Sequence, residues 1–192
     1  MEIEKAEKFI LDLLSTNLSP TLFYHGLHHT LDVTQAALII ADDEGIKDET
    51  ALKLLKTAAL FHDSGFLYTY KNHEEEGCRI ARSKLPLFAY SGEEIEQICG
   101  LIMATKIPQS PKNQLEAILC DADLDYLGRN DFEPISQSLF KELHTREIIE
   151  NEKNWNDIQV EFLESHQYHT KSARKKRDMP KQERLKKLRE LV

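Results

Sequence analysis

Three of the chain's eight histidines crowd into Tyr24-His25-Gly26-Leu27-His28-His29-Thr30. Imidazole is a common metal ligand and titrates near neutrality, so the cluster points to metal binding or proton transfer. His25 and His29 stand four apart and would share a face of a helix starting here. Further on, Ala58-Ala59-Leu60-Phe61-His62-Asp63-Ser64-Gly65 delivers an imidazole and a carboxylate at the end of an apolar run, where Gly65 can stop a helix. Buried charges must be paired or bound to metal, so this placement needs a partner. The dipeptide alone decides nothing, because eight His and twelve Asp in 192 residues supply about half a His-Asp pair by chance.

A third stretch, Leu119-Cys120-Asp121-Ala122-Asp123-Leu124-Asp125-Tyr126-Leu127-Gly128, holds three aspartates that helical spacing separates. Asp123 has Leu119, Cys120, Tyr126 and Leu127 at the i±3 and i±4 positions, which turns it inward. Asp121, beside Ala117, Ile118 and Leu124, is partly inward. Asp125, beside Asp121, Gly128 and Arg129, faces water or pairs with Arg129. In order the chain reads His…His-Asp…Asp on interior helix faces.

The elements that must carry these groups are helices. Only seven glycines and six prolines occur, and the segments between them repeat apolar residues at helical spacing. Helices are predicted over Ile3–Ser15, Gly26–Glu44, Thr50–Asp63 with Asp48 as cap, and Asn72 or His73 to Leu85. Ser91-Gly92-Glu93-Glu94 is a capping box opening a fifth helix, and Gln114–Leu127 forms a sixth, stopped by Gly128. Asp131–Asn151, Asn154–His169 and Pro180–Leu191 complete the set. No stretch alternates with a period of two. The expected fold class is therefore all-α: a single bundle of eight or nine helices (residues 1–170) with a peripheral basic C-terminal helix in residues 171–192, packed on the same body.

The net charge of −8 conceals an asymmetry. Residues 171–192 hold ten Lys/Arg against three Asp/Glu, while residues 1–170 hold fifteen against thirty. A basic tail without interleaved aromatic residues reads as a helix docked on its own acidic body rather than a nucleic-acid arm. The three cysteines, Cys78, Cys99 and Cys120, are far apart and read as reduced thiols. With no apolar run near 18 residues and no basic start before one, the chain reads as cytoplasmic, without a membrane or nucleic-acid partner.

Taken together, Tyr24-His25-x-x-x-His29-Thr30, Ala59-Leu60-Phe61-His62-Asp63-Ser64-Gly65 and Asp121-Ala122-Asp123-Leu124-Asp125 resemble the HD-domain superfamily of metal-dependent phosphohydrolases, over roughly Phe23 to Gly128. The resemblance implies an HD-type helical bundle with His29, His62, Asp63 and Asp123 as metal ligands, and Asp63 as the bridge if two ions bind. His25 matches the position that protonates the leaving group in the cyclic-nucleotide phosphodiesterase branch, whereas His28 has no counterpart and reads as an exposed neighbour. His73-Glu74 resembles a ligand position for a second metal. The next histidine, expected near Leu101–Thr105, is missing, so one ion is favoured over a tight pair.

Two imidazoles and two carboxylates suit Mn, Fe, Co, Ni or Zn, with Mg less well matched. The implied partner is a small phosphate ester or nucleotide; self-association into a homodimer is left open. Lys71, Arg79, Lys106 and Arg129 are the cations that could meet a phosphate, Lys106 foremost because it opens a proline-containing loop. His166 and His169 read as a plain helix end, and Trp155 and the aromatic loop Phe66–Tyr70 as core or pocket wall. Two other functions fit less well: a non-catalytic nucleotide-sensing module, and a redox protein with a diiron pair, which would need the missing histidine.

Overall fold

The caps legible in the sequence set the framework. The Asp48 carboxylate accepts the Ala51 N–H at 2.7 Å, and Ser91 and Glu94 exchange both bonds of a capping box. Asn113 and Asn151 cap two further helices through their side-chain oxygens. The computed structural model describes residues 1–192 as nine helices with no strand. They are α1 (Ile3–Asn17), α2 (Leu27–Asp43), α3 (Glu49–Phe61), α4 (His73–Lys84), α5 (Gly92–Ala104), α6 (Gln114–Asp123), α7 (Phe132–Thr145), α8 (Glu152–Ser165) and α9 (Lys171–Arg189). Short 3₁₀ turns follow α3, α4 and α6.

The first six helices bury one continuous core through residues such as Ile10, Ala37, Leu55, Phe61, Ile98 and Leu119. A second, smaller core joins Tyr24, Leu124, Tyr126 and Phe132 to Leu163, Tyr168 and Leu185. The ends of α3 and α6 and the start of α2 meet between the two. No helix is long and apolar enough to cross a membrane.

Several boundaries differ from the sequence expectation. The predicted Gln114–Leu127 helix ends at Asp123 and continues as a 3₁₀ turn, Asp125–Gly128. The helix predicted from Asp131 to Asn151 stops at Thr145, and Glu147 then takes a left-handed backbone with φ of 57°. The last helix begins nine residues before Pro180, which lies inside it and leaves the Lys176 carbonyl without its helical donor. Its true start is fixed by Thr170, whose hydroxyl accepts the Ala173 N–H at 3.2 Å. Gly45, with φ of 77°, ends α2 as expected.

Gly65 acts differently from a helix stop, because its φ is not positive. A Cβ there would lie 1.9 Å from the His73 carbonyl oxygen, so only glycine lets the start of α4 press against the His62-Asp63 turn.

The basic helix α9 packs on the acidic body. Lys176 pairs with Asp43, and the Glu44 carboxylate accepts the Ser172 N–H at 2.6 Å. Arg177 holds Asp125 through two bonds of 2.7 and 2.9 Å. Asp125 is therefore buried, not facing water, and its main partner is Arg177 rather than Arg129, 3.7 Å away. Gly128 gives α9 room, since a Cβ there would meet the Arg177 Cα at 2.7 Å.

Candidate metal centre

α2 opens at Leu27 and presents His29 inward in its first turn; α3 hands over to His62 and Asp63 at its end; α6 ends on Asp123. The ligand atoms of His29, His62 and Asp123 all lie within 4.8 Å of one another. His29 Nε2 is 3.1 Å from Asp123 Oδ1 and 3.5 Å from Asp63 Oδ2. His62 Nε2 is 3.2 Å from Asp63 Oδ2 and 3.5 Å from Asp123 Oδ1. Donors about 2.1 Å from a common ion stand about 3 Å apart when adjacent and about 4.2 Å when opposite. The cluster has that spacing.

Three observations show that these residues fit a cation. His62 Nδ1 donates to the Ala59 carbonyl at 2.7 Å, which commits that nitrogen and leaves Nε2 for the cluster. His62 Nε2 and Asp63 Oδ2 are buried 3.2 Å apart without a well-aligned hydrogen bond, a costly arrangement unless something between them is shared. Burial opposes charge on His62, yet Asp63 and Asp123 outweigh it and raise its pKa well above the usual histidine value. Burial likewise works against charge on Asp123, but His29 and His62 hold its carboxyl at about 2. The same imidazoles, His62 foremost, keep Asp63 well below the carboxylate range despite burial. The site draws positive charge to its centre.

The second oxygen of Asp63 faces another pair. Asp63 Oδ1 is 3.4 Å from His73 Nε2, which is 3.5 Å from Glu74 Oε1. Asp63 thus stands between two donor sets. Glu74 is buried and brings its carboxylate beside His73, as the His73-Glu74 resemblance implied. No histidine arrives from α5: Thr105 is buried and donates its hydroxyl to Ile102.

His25 lies beside the cluster, its ring stacked on Phe66 with centroids 4.2 Å apart. Its Nδ1 is 2.5 Å from Glu142 Oε1. Glu142 also accepts the Tyr24 and His25 backbone N–H groups at 2.8 and 3.1 Å and the Tyr70 hydroxyl at 2.9 Å. Burial alone would raise its pKa, but His25 and these N–H donors lower it. An ionised acceptor at Nδ1 places the His25 proton there and leaves Nε2 toward the cleft. Sequence reading missed Glu142. The signal available was its place on the stripe Phe132, Ile135, Leu139 and Leu143, where an inward carboxylate is expensive.

The expected phosphate cations are not gathered here. Lys106 is half-exposed and paired with Glu75 and Asn72 at the rim. Arg129 is not brought to the cleft: it binds both Asp32 oxygens at 2.8 and 2.9 Å and pairs with Asp131, in a separate groove beside α9. Arg79 pairs with Glu76 on the surface. His28 is exposed. His166 follows the end of α8, and its Nδ1 lies 3.3 Å from the buried Lys181 ammonium. Trp155 is buried in a wall of the cavity that opens on His25, Asp63 and Asp123.

The family model described as HD domain matches residues 26–125, which contain His29, His62, Asp63, His73, Glu74 and Asp123. No curated protein and no solved structure matches the chain. His25 lies just before the matched segment, and Glu142 beyond it.

Proposed function

The chain belongs to the HD domain family, and from that premise we propose that it is a metal-dependent phosphohydrolase acting on a small organic phosphate ester. His29, His62, Asp63 and Asp123 would hold one divalent ion, Mn, Fe, Co, Ni or Zn by the mixture of nitrogen and oxygen donors. Asp63, His73 and Glu74 would hold a second more weakly, with one imidazole fewer. A metal bound there supplies Lewis acidity toward a phosphoryl oxygen and a water of lowered pKa.

The remaining work falls to the protein. Glu142 fixes the His25 ring, with help from Phe66 stacked on its face. In the protonated imidazole, His25 Nε2–H donates to the departing ester oxygen, so that the leaving group departs as a neutral alcohol. The apolar residues around the cluster exclude bulk water and strengthen these electrostatic interactions.

The observation that supports this reading best is the convergence of the His29, His62 and Asp123 donor atoms within 4.8 Å of one another, with Asp63 against them, beside a histidine whose Nδ1 is already held by Glu142. Elemental analysis of the purified chain, followed by an ester-hydrolysis screen with added Mn, Co, Ni and Mg, tests it. Asp123→Ala is expected to lose both bound metal and hydrolysis. Stoichiometric metal with no turnover on any ester would instead favour a binding module.

A further inference from the structure

Resting on the phosphohydrolase reading, we propose that α7 and α8 build a pocket for the organic half of the ester, and that this half is a flat aromatic or heteroaromatic body of about two fused rings. A cavity of about 230 Å³ begins at His25, Asp63, His73 and Asp123 and runs away from them between the two helices. Past the polar end its walls include Phe132, Leu139, Leu143, Ile158, Phe162 and Trp155. Nearly all of this wall lies outside the residues matched by the family. The metal donors and the organic pocket thus come from separate parts of the chain.

Size and chemistry limit the occupant. An apolar protein cavity of about 150 Å³ stays dry and takes up benzene, so this one has room for roughly half as much again. Aromatic walls at Phe132, Trp155 and Phe162 favour a flat ring, which can stack or meet them edge-on. A polyol would exchange the hydration of its hydroxyls for apolar walls, which is unfavourable. The few polar groups in the wall narrow the choice further. Ser136 donates to Gln159 Oε1 at 2.5 Å and Gln159 Nε2 donates to Asn156 Oδ1 at 3.4 Å, so these groups are engaged with neighbours rather than offered to a polyol's hydroxyls.

Trp155 is the only tryptophan, so its emission reports on this wall directly. The full chain, metal-loaded and after chelation, is titrated with adenosine, 1-naphthol, glycerol and myo-inositol while Trp155 fluorescence is followed. Saturable changes with adenosine and 1-naphthol, in both metal states, and none with the two polyols support the pocket. No change with either ring compound, or equal changes with the polyols, overturns it. Leu139→Phe, which fills the cavity, should weaken ring binding at least tenfold with metal content unchanged. If that variant fails to fold, Ile158→Phe serves instead, with binding followed by equilibrium dialysis: adenosine and 1-naphthol should both bind several-fold more weakly. Undiminished binding of both compounds overturns the pocket. Ring binding without hydrolysis of any ester would sink the phosphohydrolase reading and leave the pocket standing. Hydrolysis of glycerol phosphate as fast as of ring esters would do the reverse.

Discussion

His25 Nδ1 and the Glu142 carboxylate lie 2.5 Å apart although 117 positions separate them in the chain. Glu142 is fully buried, accepts four bonds and has no exposed face to offer water. Its position makes sense as the support that keeps one imidazole nitrogen occupied and the other directed to the cleft.

Glu142→Gln keeps the shape but removes the charge and places an N–H2 group where only acceptors fit. The proposed general acid then loses its alignment. kcat should fall about 100-fold, the low end of the range for a positioned proton donor, with KM and metal content little changed. Glu142→Asp should recover part of the loss. A variant with full kcat would mean that His25 does not transfer the proton.

Metal should stabilise the fold as well as activate it. An ion present at 100 times its Kd contributes about 2.7 kcal/mol, or roughly 5–10 °C in Tm for a chain of this size. Scanning calorimetry with and without chelator measures the shift. Asp123→Ala should abolish it while still unfolding in one cooperative step.

Gly65→Ala would force a methyl into the backbone of His73, 1.9 Å from its carbonyl oxygen. The neighbour is main chain, which cannot swing aside, so the cost should reach the upper end of overpacking penalties, about 3 kcal/mol. Urea midpoints report the destabilisation. Mn titration of the folded fraction should show the weaker ion lost before the stronger one, because His73 moves and His62 does not.

His166 predicts an acid limb of the stability curve. Burial, and then the Lys181 ammonium, hold its folded pKa down to about 3, whereas an unfolded histidine titrates near 6.5. Between those values the unfolded chain binds the extra proton, so this contribution is intact above about pH 6.5 and is lost as the pH falls. The slope cannot exceed about 1.4 kcal/mol per pH unit from one group. His166→Asn should flatten the curve in that window; an unchanged curve would assign the limb to other groups.

Much of this was legible because it is local. His29 and Asp123 lie within helices, and His62 and Asp63 directly after one, whose apolar periodicity is written in the residues beside them. Asp48, Ser91 and Glu94 announce their helices for the same reason. What escaped depends on partners far along the chain. Asp125 looked solvent-facing because Arg177, 52 residues on, could not be placed. The start of α9 was hidden by Pro180, since its cap is fixed by Thr170 and held in place by Asp121. Arg129 and Lys106 were counted as free cations, yet carboxylates from Asp32 and Glu75 had already engaged them. Charge alone does not say which cations are left for a ligand.

Asp121 accepts the backbone N–H groups of His169 and Thr170 at 2.8 and 2.7 Å, and Asp125 waits on Arg177. Asp123 stands between those two acids. During synthesis, a growing chain exposes all four proposed metal donors about fifty residues before the groups that secure the Asp123 turn from behind. Until then the turn carries a row of carboxylates that repel one another. If the centre binds an ion as proposed, ion uptake by a nascent chain is expected to trail the appearance of its ligands until α9 has docked.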